Sequence, residues 1–364
     1  MKKEGSAFHL AVNAIFIGIL LSFAIFYLTN MLISPETTTA ETCYDGSVIT
    51  GDDPGSSFRR AVYQNESTLA FIREYQYRLF GIADSGSVIM GNGGFLFELR
   101  NAQYNYEYLD DFTGNLSFTD EELEQILAEL QARRSFCEEN NIDYVLVVIP
   151  NSQSIYSEYM PSYLGRHSSN TRLAQLKSYL LENEYYNLLD LSFQLTEAKE
   201  DGQLYHNTEN SLNALGMYYA YSAVCNRIKS EFATEIETMA REDLSFYRHI
   251  TTGRTTAQKA GIAEYALNRT ISLSNDVIAN YYFSMNSGLY TATRRQDVTE
   301  PTGSILLQFT DASTRSQSEP FFSNTFDQVT YQTRHILTEE TLMVSEPQVV
   351  VQFIYESELA RLLP

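Results

Sequence analysis

The apolar run Ile305-Leu306-Leu307-Gln308-Phe309-Thr310 opens into Asp311-Ala312-Ser313, a strand ending in an Asp-x-Ser turn. A serine hydroxyl placed there can attack a carbonyl, provided a base takes its proton. Histidine is the side chain that titrates near neutrality, and a carboxylate can hold its ring in the working orientation. A second segment, Leu204 to Gly216, supplies such groups in His206 and Glu209, together with Ser211 and Asn213. Ser313 as nucleophile, His206 as base and Asp311 or Glu209 as acid would make an esterase or acyl transferase. His167 lies in a Ser-rich loop, and His249 and His335 are isolated. No His, Cys and carboxylate cluster has ligand spacing, so neither a metal nor a cofactor is expected.

These segments need elements to carry them. Thr119-Asp120-Glu121-Glu122 has the form of a capping box, and Leu123, Ile126, Leu127, Leu130 and Cys137 continue the apolar stripe of the helix it starts. Tyr144 to Ile149 is a continuous apolar, β-branched run, which predicts a strand buried on both faces. Helices over 57–80, 171–182 and 214–229, strands over 188–191, 305–310 and 347–354, a short segment near 329–331 and a terminal helix complete the alternation. A three-layer α/β domain with a mostly parallel sheet follows. Gly91-Asn92-Gly93-Gly94 sits between two strands rather than before a helix, which excludes a phosphate-cradling loop. Residues 230–300 are polar and weakly periodic, an insertion or lid over the domain.

Lys2 and Lys3 precede an apolar run from Ala14 to Ile33, long enough to span a bilayer. The lysines place the N-terminus in the cytoplasm. The organisation expected is a cytoplasmic tail at 1–9, a transmembrane signal anchor at 10–33, a juxtamembrane linker at 34–56 and an exported domain at 57–364. Cleavage after Thr38-Thr39-Ala40 is the alternative. A net charge of −21 excludes nucleic-acid binding through bulk charge. There is no Trp but there are 26 Tyr, which can stack on sugars or fill a core. Three cysteines are too few for a disulfide scaffold. Cys137 and Cys225 are expected as buried thiols, with a bridge between them as the alternative, and Cys43 lies near the membrane.

Five segments in order resemble the SGNH-hydrolase-like family of alginate O-acetyltransferases and their Gram-positive relatives with an Asp-x-His-Trp signature. They are Val88 to Phe97, Val147 to Tyr156 with Tyr159-Met160-Pro161, Leu204 to Gly216, Leu306 to Ser313, and Glu346 to Glu356. The resemblance covers about residues 86–364 and implies a domain of SGNH/flavodoxin-like type. It implies a Ser-His-Asp triad, but the signature Asp falls on Glu209, the His on Ser211, the Trp on Leu212 and the nucleophile on Ala312. The Lys of the family's Pro-Asn-Lys segment falls on Ser152. Alanine cannot attack a carbonyl and serine cannot replace the imidazole, so the inherited triad is substituted. Ser313 is one residue along, where a helical step swings a side chain by roughly 100°, away from the old nucleophile position.

The resemblance therefore implies a catalytically inactive, membrane-anchored, extracytoplasmic bacterial protein. It would bind cell-surface polysaccharide through Asn151, Ser152, Asn213 and Asp311, or support O-acetylation beside a multi-pass membrane O-acyltransferase. The alternative is an active O-acetyltransferase or esterase using Ser313, His206 and Asp311.

Overall fold

A computed structural model describes residues 41–42, 48–49, 66–80, 83, 86–101, 106–232, 236–274, 280–286, 289–295, 302–334 and 337–364. The anchor, most of the linker, Cys43 and His335 lie outside them. No helix among the described residues is long and apolar enough to cross a membrane. The chain divides into two units, Met1–Gly81 and Ile82–Pro364. The first contains an α-helix over Glu66–Phe80 and a short antiparallel pairing of Glu41–Thr42 with Val48–Ile49.

The second unit begins with an antiparallel pair, β1 (Val88–Met90) and β2 (Leu96–Glu98), joined through the glycines. Gly93 and Gly94 take the left-handed backbone that the turn needs, with φ of 69° and 80°. Helices α1 (Tyr108–Thr113) and α2 (Asp120–Glu139) follow. The expected capping box at the start of α2 is present. Thr119 Oγ1 accepts from the Glu122 amide at 3.2 Å, and Glu122 Oε2 accepts from the Thr119 amide at 2.8 Å.

The chain then alternates β3 (Asp143–Ile149), α3 (Ser152–Ile155), α4 (Arg172–Glu182), β4 (Leu188–Asp190), α5 (Ser192–Ala198) and α6 (Ala214–Glu231). Residues 230–300 supply a hairpin of β5 (Phe246–Thr252) and β6 (Leu267–Leu273), with α7 (Thr255–Lys259) between its strands. They also supply a second hairpin, β7 (Tyr281–Asn286) and β8 (Leu289–Arg294), which extends the main sheet. Last come β9 (Ser304–Gln308), α8 (Ala312–Thr325), β10 (Gln328–Gln332), α9 (Glu339–Ser345) and β11 (Val349–Tyr355). The chain closes with the expected terminal helix, of 3₁₀ type, over Glu356–Leu362.

The main sheet has seven strands in the order β4-β3-β11-β9-β10-β8-β7. The first five are mutually parallel, while β8 pairs antiparallel with both β10 and β7. The sheet is therefore mixed rather than simply parallel. The antiparallel extension comes from the segment whose sequence is too polar and irregular to reveal strands.

Alternating residues of β3 serve two cores. Val145, Val147 and Ile149 pack with α5, α6 and α8, and Tyr144, Leu146 and Val148 pack with α2, α4 and α9. Two apolar faces explain why the run in β3 has no polar alternation, and each fully buried large side chain there contributes roughly 1.5–3 kcal/mol. Cys137 and Cys225 are buried free thiols rather than a bridge. Burial pushes the Cys137 thiol up to about 12, which leaves it unreactive.

The connections after β9 and β11 leave the sheet on opposite faces. The chain after β9 enters α8 on the first core, and the chain after β11 enters the 3₁₀ helix on the second. A crevice must open between them, outside the carboxyl ends of the parallel strands.

Candidate functional site

That crevice is a cleft of about 360 Å³. Thr310 and Asp311 line it from the end of β9, and Tyr355, Ser357, Glu358 and Arg361 from the end of β11. The loop between α5 and α6 adds Glu209, Asn210 and Ser211. Glu98 and Tyr108 close the side formed by β2 and α1, and Thr255 closes the side formed by α7. The two segments that sequence singles out for chemistry thus meet, although about 100 residues of chain separate Ser211 from Asp311.

The α5–α6 loop is held by backbone pairing and by asparagines. His206 N donates to Ser211 O at 3.1 Å, and Asn213 N donates to Leu204 O at 2.9 Å. Asn213 caps α6, its Oδ1 accepting from the amides of Leu215 at 3.0 Å and Gly216 at 3.1 Å. A Cβ on Gly216 would lie 2.2 Å from Leu204 O, so only glycine lets the helix approach the loop. Asn210 Oδ1 accepts from Ser152 N at 2.7 Å, and Asn210 Nδ2 donates to Asn151 Oδ1 at 3.1 Å. The family-derived binding residues Asn151, Ser152 and Asn213 are therefore buried struts beneath the cleft and do not line it.

The triad positions are occupied as follows. Glu209 faces the cleft, ion-paired to Arg254 Nε at 2.8 Å and accepting from Thr255 Oγ1 at 2.9 Å. Ser211, only 5% exposed, lines the cleft with an Oγ that has no hydrogen-bond partner. Asp311 is the N-cap of α8, accepting from Thr314 N at 2.8 Å and Thr314 Oγ1 at 2.6 Å. Ala312 is the first residue of that helix and borders a separate groove of about 730 Å³ with Tyr290, Arg315 and Tyr331. Ser313 is half-buried and lines neither cavity.

His206 is brought to neither Ser313 nor the cleft. Its ring is buried, with Nε2 3.0 Å from Arg254 Nη1 and Nδ1 3.3 Å from Asn268 Nδ2. Burial, reinforced by the Arg254 guanidinium, pushes it down to about 3, so the ring is neutral at any working pH.

Sequence reasoning misses the rest of the cleft. Glu98 is 4% exposed, accepting from Lys259 Nζ at 2.6 Å and Thr256 Oγ1 at 3.1 Å. Glu358 accepts from Tyr106 OH at 3.1 Å and from Arg361 Nη1 at 3.2 Å. Burial pushes the Tyr108 and Tyr355 phenols far up, with Glu98 and Glu358 adding to the first and Asp311 and Glu209 to the second. Neither phenol loses its proton, so both act as donors and ring surfaces. Among the described residues no group of three His, Cys, Asp or Glu is close enough to hold a metal ion.

Comparison with known proteins fits this geometry. The family model of the SGNH hydrolase-like domain of acetyltransferase AlgX matches residues 89–277. The match includes Glu209 and Ser211 and ends before Asp311. PatB1 of Bacillus cereus, solved with a sulfonyl adduct, is similar in structure at a TM-score of 0.53 with 12% identity, over 76% of this chain and 97% of that one. The O-acetyltransferase domain of Pseudomonas putida AlgJ gives a TM-score of 0.49 with 14% identity, over 75% of this chain and 92% of that one. No curated protein matches the chain. A family model that spans more than half of the sequence, on an α/β fold with a mixed sheet, places this chain in the SGNH hydrolase-like family of acetyltransferase AlgX.

Proposed function

We propose that this protein binds cell-surface polysaccharide in the cleft without transferring an acyl group. One observation carries the reading: the positions where the family pattern has nucleophile and base are Ala312 and Ser211, and the lining of the cleft contains no histidine among the described residues. Acyl transfer through a serine needs a hydroxyl whose proton a neighbouring base accepts. Ala312 has no hydroxyl, and Ser211 cannot accept a proton at neutral pH. Asp311 and Glu209 are carboxylates without a partner imidazole, since His206 is turned to Arg254 and Asn268. The apolar run of 14–33 supports an anchor that holds the domain at the outer face of a bacterial membrane. There it would act beside a multi-pass O-acyltransferase.

The test is intact-mass analysis after exposure to a serine-reactive sulfonyl fluoride, with PatB1 of Bacillus cereus labelled in parallel. No adduct is expected on the wild type, whereas PatB1 should label. A stoichiometric adduct on wild-type Ser313 would overturn the reading in favour of a re-sited nucleophile and an active esterase or transferase.

A further inference from the structure

We infer that the cleft recognises a saccharide unit bearing a free amino group and excludes uronic acid units. This rests on the reading above and adds the charge class of the ligand. The lining presents four carboxylates, Glu98, Glu209, Asp311 and Glu358, against the single guanidinium of Arg361. Lys259 behind Glu98 and Arg254 behind Glu209 reduce the excess without removing it, leaving the acids ahead by one. No cation is paired with Asp311 among the described residues, its oxygens being bonded only to Thr314.

Three of the donors around the cleft are already engaged by the protein. Thr255 donates to Glu209, Tyr106 to Glu358, and Asn210 to Asn151. An anionic sugar would meet carboxylates with few donors to neutralise it, whereas an ammonium brings donors to acceptors that retain lone pairs. A metal would answer the same charge, but the acids are not grouped closely enough to coordinate one.

A separate observation points to a polar ligand. Ser211 lines this cleft, and its buried Oγ has no partner within the protein. A buried hydroxyl without a partner is unfavourable, and a sugar hydroxyl entering the cleft would satisfy it. Tyr106, Tyr108 and Tyr355 line the same cleft but are largely buried.

The experiment is calorimetric titration of the full-length protein with three tetrasaccharides: β-1,4-linked glucosamine with free amines, its fully N-acetylated counterpart, and galacturonic acid. The amine form should bind, the N-acetylated form about tenfold or more weakly, and the uronate not measurably. Asp311→Asn keeps a good helix cap and removes the charge, and should weaken amine binding about tenfold. Ser211→Ala should weaken it a few-fold, roughly the loss of one hydrogen bond. Glu242→Gln, an exposed acid away from the cleft, should change nothing.

Equal binding of the amine and uronate forms, or no binding of any, would overturn the inference. So would an unchanged affinity in both cleft variants, because the amine would then be held by bulk negative charge. None of these outcomes bears on the sulfonyl labelling, so failure of the charge preference and failure of the non-catalytic reading are separable.

Discussion

Glu356 offers a stability test whose sign and size follow from its surroundings. It follows directly on β11, is 3% exposed, and its Oε2 accepts from Asn151 N at 2.9 Å and Ser154 Oγ at 2.6 Å. Burial raises it from 4.5 to about 7, with the nearby Asp111 and Asp190 carboxylates adding to the rise and the two hydrogen bonds opposing it. The folded protein therefore holds this proton more tightly than the unfolded chain. Its contribution to stability is complete below about pH 4.5 and is lost as pH rises through about 7. Two and a half units at about 1.4 kcal/mol each make that loss about 3 kcal/mol. Glu356→Gln stays neutral and keeps an acceptor oxygen, so it removes the loss. Urea unfolding of wild type and variant should agree within about 1 kcal/mol at pH 5, with the variant ahead by up to about 3 kcal/mol at pH 8. Other titrating groups are common to both proteins and cancel in the difference. A difference that stays flat from pH 5 to 8 would show that Glu356 titrates as an ordinary carboxyl and refute the reasoning.

Two further substitutions test how the cleft is held. Gly216→Ala places a methyl 2.2 Å from the Leu204 carbonyl and should destabilise the protein by about 2–3 kcal/mol in denaturant unfolding; a change below ~0.5 kcal/mol would mean that α6 can shift without strain. Asn210→Ala removes the acceptor for the buried Ser152 amide and should cost about 1–3 kcal/mol while speeding hydrogen exchange at that amide; unchanged protection there would contradict the strut role.

Much of the architecture is written in local pattern. The capping box of Thr119 and Glu122, the two-faced run in β3 and the strand into Asp311 each signal their element within a few residues. The mixed sheet edge is not legible, because the exposed positions of β7 at Tyr282 and Met285 and the half-buried ones of β8 break any period a reader could count. The terminal helix over Glu356–Leu362 is expected, but the long-range partners of its acids are hidden. Tyr106 reaches Glu358 across 252 residues, and Asn151 reaches Glu356 across 205. For the same reason Glu98, Tyr108 and Glu358 carry no local mark as cleft residues.

The triad region shows how far survival of a residue can be read as function. Asp311, Asn151 and Asn213 stand where the family pattern has them, which taken alone suggests selection for a site. Each has a structural duty that would keep it in place. Asp311 caps α8, Asn213 caps α6 and ties back to Gln203 O at 2.6 Å, and Asn151 receives the Asn210 amide. Ala in place of such a cap costs about 1 kcal/mol whether or not the protein does chemistry. The functional weight therefore moves to features that the fold does not require. A partnerless buried hydroxyl at Ser211 and an excess of carboxylates facing one cavity both reduce stability in the free protein. On the proposed reading both would become favourable once a hydroxyl-rich cation fills the cleft, and the calorimetric series is the measurement that separates ligand from scaffold as their cause.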